Sequence, residues 1–91
     1  MIRSFKSRAL AALWNRKDAS RIRQDLVVRT IVRLNALDTA TQPEDLNISG
    51  FNFHRLRSKP VRYTIHVNGP WCITFEWEGE DAVRVDLEQY H

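Results

Sequence analysis

The sequence predicts an α+β domain in which two N-terminal helices pack on a small antiparallel β-sheet. Apolar residues recur at helical spacing in the first 37 residues, polar and apolar residues alternate from residue 51 onward, and turn formers separate the alternating stretches. Helices followed by hairpin-linked strands are typical of α+β domains. Because 91 residues suffice for one hydrophobic core but not for two, we expect residues 1–91 to form a single domain.

The N-terminal part contains the predicted helices. Residues 1–6 alternate only loosely, so they form either a short strand or an extended lead-in. Apolar residues three and four apart predict a short helix over residues 7–15. A longer helix should follow an N-cap at Asp18 or Ser20 and continue to Leu37. Its basic residues fall largely opposite the apolar stripe and form either a ridge that touches phosphates or an acidic partner, or a solvated face: Arg21, Arg23, Arg29 and Arg33.

The rest of the chain predicts a loop and four strands. Residues 39–50 are rich in turn formers and should be a loop, with one helical turn at residues 43–46. Four stretches then alternate with a period of two, and two tight turns join the last three of them. The expected strands are residues 51–54, 62–67, 71–77 and 82–87, and the expected turns are residues 68–70 and 78–81.

Alternation also sorts the strand residues into two faces. One face is apolar and should be buried; it consists of Phe51, Phe53, Tyr63, Ile65, Val67, Ile73, Phe75, Val83, Val85 and Leu87. The intervening residues should share the other face; they are Asn52, His54, Arg62, Thr64, His66, Cys72 and Thr74. The second face therefore brings together imidazole and guanidinium groups, which makes it the candidate site.

Composition and charge narrow the function classes. No stretch approaches the roughly 20 apolar residues that span a bilayer, and the first six residues lack the apolar core of a signal peptide, so we expect a cytoplasmic protein without membrane contact. The single Cys72 can form neither an internal disulfide nor a cysteine-based zinc site, and we expect no metal or other cofactor. Residues 1–62 carry 13 of the 14 basic and 5 of the 11 acidic side chains, a net charge of +8 against −5 for the remainder. This asymmetry suggests a polyanionic partner, with a solvated basic surface as the alternative.

The polar face of the sheet suits RNA cleavage without a metal. Histidine is the side chain that most often serves as general base, and one such as His54 can take the proton from a 2′-hydroxyl, whose oxygen then attacks the adjacent phosphorus. Guanidinium groups can brace phosphate oxygens, and aromatic rings can stack on bases. Each such residue also has an ordinary surface or packing role as its alternative. The residues expected to bind RNA are Arg55, Lys59, Arg62 and His66.

Several motifs, spread in order along nearly the whole chain, resemble one known family. They are residues 1–6, 37–41 and 43–47, the stretch Phe53-His54-Arg55-Leu56-Arg57, Trp71 with residues 73–75, and Tyr90-His91. This combination resembles the HigB-type toxins of bacterial toxin–antitoxin modules, within the RelE-like superfamily. The resemblance implies a RelE-like toxin fold. It also implies a toxin that cleaves messenger RNA in the ribosomal A site through attack by the 2′-hydroxyl.

The same resemblance implies site residues and partners. His54 and His91 would transfer protons, Arg57 would brace the phosphate, and Tyr90 would stack on or orient a base. A helix-turn-helix antitoxin would neutralise the toxin, the ribosome and messenger RNA would be its targets, and DNA would be contacted only through the toxin–antitoxin complex. The family usually has Lys, Arg and Asp where this chain has Arg57, Cys72 and Gln89.

Two other functions remain open at this point. The first is a non-enzymatic inhibitor on the same fold, similar to the gyrase-poisoning ParE relatives, although such inhibitors have no need for paired histidines beside basic residues. The second is a weakened toxin that mainly binds antitoxin or RNA, because Cys72 removes a guanidinium from the polar face and Gln89 removes a carboxylate.

Overall fold

The computed structural model describes residues 1–89 and shows two α-helices and one four-stranded antiparallel sheet. The helices are α1 (Arg8–Arg16) and α2 (Val27–Thr39), with short 3-10 helices at Gln24–Leu26 and Pro43–Leu46. The strands are β1 (His54–Arg55), β2 (Tyr63–Asn68), β3 (Trp71–Glu78) and β4 (Asp81–Gln89), and they lie in that order across the sheet. The predicted α+β class is confirmed.

Helix α1 begins and ends at residues suited to those positions. The Ser7 hydroxyl accepts a hydrogen bond of 3.1 Å from the Leu10 amide, which satisfies one of the free N–H groups of the first turn. The helix stops at Lys17, whose φ of 56° is left-handed. Its inner side buries Leu10 and Leu13 against the sheet. The prediction of a short helix here is confirmed to within one residue.

Helix α2 starts later than the sequence predicts. The Asp18 carboxylate accepts from the Ser20 amide at 3.0 Å and from the Ser20 hydroxyl at 2.6 Å, so it closes a local turn and caps no helix. Ile22 and Leu26 are buried although they precede the helix, because the intervening turn and 3-10 segment also pack on the core. The apolar spacing that suggested one long helix therefore comes from two consecutive packed segments.

One residue of the predicted basic ridge is buried. Arg33 donates from Nε to the His66 carbonyl at 2.6 Å and from Nη1 to the Arg29 carbonyl at 3.2 Å. Its guanidinium carbon lies 4.6 Å from the centre of the Phe51 ring. Burial, with a smaller contribution from the Arg29 charge, lowers the pKa of Arg33. Arg33 therefore ties α2 to β2, and the expectation that it belongs to an exposed ridge is wrong.

The N-terminal segment lies beside β4, the edge strand on the opposite side of the sheet from β1. Ile2 and Phe5 make isolated parallel bridges to Ala82 and Val85 of β4. The Ile2 amide also donates to the Asp38 carboxylate at 2.9 Å, which ties this segment to α2. Of the two alternatives for residues 1–6, the structure supports an extended segment that pairs along β4.

The strands after residue 60 match the predictions, but the first one is shorter than expected. Only His54–Arg55 pair as β1, whereas residues 51–54 were expected to be a strand. Asn52 has a φ of 48°, which breaks the extended conformation in the middle of that stretch. The turns after Asn68 and Glu78 are both confirmed, and they join β2 to β3 and β3 to β4.

A β-bulge in β4 changes which residues face the core. The register shifts between Thr74 and Glu76 of β3, and Arg84 has a φ of 49°. Ala82 and Val85 join the core, whereas Val83 pairs with Glu76 on the opposite face. Val83 is buried as predicted, but the prediction that it shares a face with Val85 is wrong, because strict alternation does not hold across the extra residue.

The helices and the sheet enclose one core. Apolar residues of β2, β3 and β4 contact the inner sides of α1 and α2, and a stack of aromatic rings extends along one side of it. The ring centres of Tyr63 lie 5.8 Å from Phe53 and 5.7 Å from Phe75, and those of Phe75 and Trp77 are 6.1 Å apart. No helix within residues 1–89 has the length and apolar character that crossing a membrane requires.

Candidate functional site

Six of the seven polar residues predicted to share one face do so, and we call this the outer face because the helices cover the other. The exception is Asn52, which precedes β1 and belongs to no strand. The strand register aligns His54, Thr64, Thr74 and Asp86 in one row across the sheet. A second row, two residues further along, contains His66, Cys72 and Glu88. Pairing in register places the side chains of each row on the same side of the sheet. The sheet thus aligns two histidines, a thiol and two carboxylates on one surface.

His54 is exposed and has a defined tautomer in its neutral form. Its Nδ1 lies 3.1 Å from the Asn52 carbonyl oxygen. A carbonyl oxygen only accepts hydrogen bonds, so Nδ1 carries the hydrogen and the lone pair of the neutral ring is on Nε2. Within the described part of the chain, no other hydrogen bond engages this ring. The unusual backbone at Asn52 thus orients an exposed imidazole nitrogen that can accept a proton.

The three basic residues that follow His54 are exposed and lie on a tight connection. Arg55 pairs with Tyr63, so its side chain leaves β1 on the side opposite that of His54. Arg57 and Lys59 lie between β1 and β2, in a segment closed by a 2.8 Å hydrogen bond from the Leu56 amide to the Arg62 carbonyl. The structure therefore places three exposed basic residues in and directly after β1, and it does not align Arg55 with His54.

Arg62 lies on the outer face, and its guanidinium is held by several partners. Nη1 donates to the Glu76 carboxylate at 2.7 Å, and Nη2 donates to the Thr74 hydroxyl at 2.9 Å and to the Arg84 carbonyl at 3.0 Å. The side chains of Arg62 and Glu76 are only 14% and 10% exposed. RNA binding by Arg62 remains a prediction, and phosphate would have to compete with the Glu76 carboxylate for this guanidinium.

Glu76 connects Arg62 to a longer chain of charges. Its second oxygen accepts from Arg84 Nε at 2.8 Å, and Arg84 also donates to Glu78 at 2.7 Å. Glu78 in turn pairs with Arg3 at 2.5 Å. We call Arg62, Glu76, Arg84, Glu78 and Arg3 the outer-face network. The bulge in β4 makes this network possible, since it brings the Arg84 side chain to Glu76 and Glu78 of β3. At the bulge, the Arg84 amide donates a hydrogen bond of 2.8 Å to the Ser4 hydroxyl.

The outer-face network shifts the pKa values of its members. Burial acts to raise the pKa of Glu76, but hydrogen bonds and charge from Arg84 and Arg62 outweigh it, and the net pKa is lowered. The Arg84 hydrogen bond also lowers the pKa of Glu78, and the two carboxylates raise the pKa of Arg84. These glutamates are therefore anions at neutral pH, and they keep the two arginines in place.

His66 and Cys72 are half-buried neighbours in the second row. His66 Nε2 lies 3.0 Å from the Gly69 carbonyl oxygen, so in this histidine the hydrogen is on Nε2. Glu88, on the other side of Cys72, accepts a short hydrogen bond from the Thr74 hydroxyl. At Cys72 the structure thus places a thiol between an imidazole and a carboxylate.

Part of the predicted site lies outside the described residues. Tyr90 and His91 follow β4 directly in the sequence, and the structure does not describe them. Within residues 1–89, no three His, Cys, Asp or Glu side chains are arranged to hold a metal ion, and the expectation of metal-free chemistry stays a prediction. The site residues predicted from the sequence did not include Glu76, Glu88 or Arg84. Alternation could have placed Glu76 on the outer face, but nothing in the sequence marks the bulge at Arg84.

The fold and the candidate site together define a class of protein. A small α+β domain with imidazole and guanidinium groups on the uncovered face of a four-stranded antiparallel sheet is similar to the RelE-like toxins. The HigB-like toxin family, described as RelE-like toxins of the type II toxin–antitoxin system HigB, matches residues 3–91. The chain is also 36% identical over 92 residues to the Endoribonuclease HigB of Proteus vulgaris, with 100% of each chain covered.

The chain therefore belongs to the HigB-like toxin family, and the resemblance seen in the sequence is confirmed. It is the toxin component of a type II toxin–antitoxin system, and its partner is an antitoxin.

Proposed function

We propose that this toxin is an endoribonuclease that cleaves messenger RNA in the ribosomal A site, in the cytoplasm. A helix-turn-helix antitoxin neutralises it, and the complex of the two contacts DNA through that antitoxin. The observation that carries the proposal is the exposed His54 imidazole, whose Nδ1–H is fixed by the Asn52 carbonyl so that Nε2 is left to accept a proton. The full-length similarity to a protein named as an endoribonuclease supports the same reaction class.

The proposed reaction is a transesterification that needs only side chains of this chain. One histidine, His54 or His91, takes the proton of the 2′-hydroxyl, and the 2′-oxygen attacks the adjacent phosphorus. The bond from phosphorus to the 5′-oxygen breaks, and the other histidine returns a proton to that oxygen. The products are a 2′,3′-cyclic phosphate and a free 5′-hydroxyl. No metal or other cofactor takes part.

Basic and aromatic side chains would stabilise this reaction. Arg57, at the β1 edge of the outer face, would brace the phosphate oxygens as negative charge develops on them, and Tyr90 would stack on a base. Arg55, Lys59, Arg62 and His66 would hold the RNA backbone by charge and hydrogen bonding. The exposure of Arg55, Arg57 and Lys59 favours these roles, since exposed cations are free to contact a polyanion.

One observation favours a slower enzyme than the family usually provides. The row of His66, Cys72 and Glu88 contains no guanidinium, and the nearby guanidinium of Arg62 is already held by Glu76. If this limits the rate, Cys72→Arg should raise cleavage at least several-fold, because it adds a cation to the outer face. An unchanged rate in a folded Cys72→Arg protein would show that the missing guanidinium does not limit activity.

The nuclease proposal is tested by mapping RNA ends on translating ribosomes with the wild-type protein, His54→Ala, His91→Ala and His66→Ala. We expect His54→Ala and His91→Ala each to lower kcat by roughly 100-fold or more, the usual contribution of a general acid or base. His66→Ala should mainly raise KM, because His66 Nε2 is bonded to Gly69 and this residue is assigned to binding. Absence of new codon-registered RNA ends with the wild-type protein, or full activity of His54→Ala, would contradict the proposal.

A further inference from the structure

Glu88 is a carboxylate on the outer face that the proposed reaction does not use. It lies half-buried in β4 and pairs in register with Cys72 of β3. Its Oε2 accepts a hydrogen bond from the Thr74 hydroxyl. Within residues 1–89, no hydrogen bond and no ion pair engages its Oε1. The side chain therefore presents an acceptor on the face where we propose that RNA binds.

The Glu88 carboxylate is held in place by partners within the sheet. Thr74 is fully buried, and its hydroxyl accepts from Arg62 Nη2 at 2.9 Å while it donates to Glu88. The Arg62 guanidinium is itself bonded to Glu76 at 2.7 Å. Because a hydroxyl has a single hydrogen, these contacts fix which oxygen of Glu88 is engaged and which one is left. An acceptor fixed in this way suits selective recognition, since it loses little conformational freedom when a ligand binds.

Charge disfavours phosphate as the group that Glu88 contacts. Phosphate oxygens are negatively charged and only accept hydrogen bonds, so a carboxylate repels them. Glu76 differs from Glu88, because Arg62 and Arg84 pair with its two oxygens. The strand that contains His54 lies three strand spacings from β4, about 14 Å across the sheet. A phosphate positioned at His54 is therefore too far from Glu88 to contact it, and another part of the RNA must lie there.

The parts of RNA that can donate to a carboxylate are the bases and the ribose hydroxyls. Adenine, cytosine and guanine each have an exocyclic amino group, whereas uracil has carbonyl oxygens at the equivalent positions. Proteins that read single-stranded RNA form hydrogen bonds with these exposed base edges. Tyr90, which we propose stacks on a base, follows Glu88 by two residues in the sequence. These points favour a base as the neighbour of Glu88.

We propose that Glu88 is a specificity-determining residue of the nuclease, and that its Oε1 accepts a hydrogen bond from the amino group of a base in the codon. Adenine, cytosine or guanine at that codon position is favoured over uracil, because a uracil carbonyl would face the carboxylate. Thr74 is the positioning residue that holds Glu88 for this contact. The inference rests on the proposed function, since it states what the same site selects.

The test uses ribosomes programmed with synthetic messages whose A-site codon is varied through the four bases at each position in turn. The measured quantity is the ratio of kcat/KM with an amino-bearing base to kcat/KM with uracil. For the wild-type protein this ratio should be roughly 10 or more at one codon position, the usual contribution of a hydrogen bond to a charged group. The ratio is decisive because removal of a negative charge from this face can strengthen RNA binding at every codon.

Glu88→Gln should lower this ratio to about 1 or below, because an acceptor is exchanged for a donor. The glutamine carbonyl can still accept from Thr74, which leaves the amide N–H groups facing the base, where they favour a uracil carbonyl. Asp86→Asn is the matched control. Asp86 is a half-buried carboxylate on the same strand and face, but its Oδ1 accepts from the Leu87 amide at 2.9 Å. Its substitution should leave the base preference unchanged.

Thr74→Val tests the positioning step. Valine has nearly the shape of threonine but no hydroxyl, so Glu88 loses its anchor and the ratio should fall several-fold. Thr74→Ser keeps the hydroxyl and should retain the wild-type ratio. Thr64→Val is the matched control, because Thr64 is buried in the same row and its hydroxyl has no hydrogen-bond partner among the described residues. A ratio does not depend on the fraction of active protein, so partial unfolding cannot imitate these results.

An equal base preference of Glu88→Gln and the wild-type protein at every codon position would overturn the inference. A rate that changed by the same factor for all four bases would indicate a ribose or structural contact, and the inference would also be wrong. The same loss of preference in Asp86→Asn would remove the assignment to Glu88, and a wild-type ratio in Thr74→Val would remove the positioning role. If the wild-type protein cleaved none of the messages, the nuclease proposal itself would fail, which is a distinct result from cleavage without base preference.

Discussion

The β3–β4 hairpin and the segment from residue 51 to residue 62 both border the outer face, yet they are built very differently. The hairpin consists of strands of eight and nine residues, and Glu76 and Arg84 connect them across the outer face. The segment contains a strand of two residues, and most of its polar side chains are exposed. His54, the candidate proton-transfer residue, lies in the segment from residue 51 to residue 62, which is the region with the shorter strand.

The contrast indicates a division of roles. Substitutions in the hairpin should change the free energy of unfolding, because its side chains are buried or ion-paired. Substitutions of exposed residues in the segment from 51 to 62 should change activity and leave folding intact. His54→Ala, for instance, should alter the free energy of unfolding by no more than about 0.5 kcal/mol, as is usual for exposed positions.

The largest effect on stability is expected for Phe75→Ala. Phe75 is fully buried in β3 and lies between the Tyr63 and Trp77 rings, so its loss should lower the free energy of unfolding by about 3–5 kcal/mol. Phe53→Ala, in the segment, is the matched control, because Phe53 is only half-buried and contacts the same ring stack from its end. Urea or thermal unfolding measures both variants. Equal losses would remove the proposed difference between the two regions.

Glu76→Gln should have the next largest effect. It keeps the shape of the side chain but removes the charge that holds Arg62 and Arg84 across the outer face. Arg62 is only 14% exposed, and leaving it without its carboxylate partner costs up to about 3 kcal/mol, whereas Arg84 is 49% exposed and adds little. Chemical unfolding at neutral pH measures the loss. A variant as stable as wild type would show that the network contributes little to the hairpin.

The same network predicts how stability depends on pH. The pKa of Glu76 is lowered below its ordinary value of 4.5, so between the two values the unfolded chain binds more protons than the folded one. The contribution of Glu76 to stability is therefore complete above pH 4.5 and is lost as the pH falls through the lowered pKa of the folded protein. Unfolding curves from pH 7 to pH 3 should show a weaker acid dependence in Glu76→Gln. If the free energy of unfolding fell equally steeply with decreasing pH in both proteins, Glu76 would be excluded as a source of the acid dependence.

The smallest effect on stability is expected for Arg57→Lys, in the exposed segment. The charge is preserved, and the free energy of unfolding should change by no more than about 0.5 kcal/mol. Activity on ribosomes should change within roughly tenfold in either direction, because an ammonium replaces a planar group that can bind two phosphate oxygens. Arg57→Ala provides the comparison and should be less active than Arg57→Lys. Equal activity of all three proteins would remove Arg57 from the proposed site.

Much of the fold followed from local patterns. Alternation located β2, β3 and β4, and Asn68-Gly69 and Gly79 marked the turns between them, because a left-handed backbone there favours glycine. The start of α2 could not be predicted from the apolar spacing, because the buried Ile22 and Leu26 continue that spacing through a segment that is not α-helical. The burial of Arg33 could not be predicted either, because it depends on a hydrogen bond to the carbonyl of His66, 33 residues away.

The candidate site was predicted less completely, for physical reasons. The outer-face position of His54 and His66 follows from alternation, but the partners that set their tautomers are backbone carbonyls that no side-chain pattern reveals. The network around Glu76 depends on a bulge at an arginine with positive φ, a position where glycine or asparagine would have been the usual signal. Pairings between strands far apart in the sequence become visible only once the register is known.

Cys72 offers a practical route to observing the site at work. It is the only cysteine of the chain, it is half-buried, and it lies in register between His66 and Glu88 on the outer face. A small fluorine-bearing tag attached to its sulfur would give a single resonance, free of background from other thiols. Nucleic acid bound over the outer face, as proposed, would then perturb that resonance, in solution and without any functional assay.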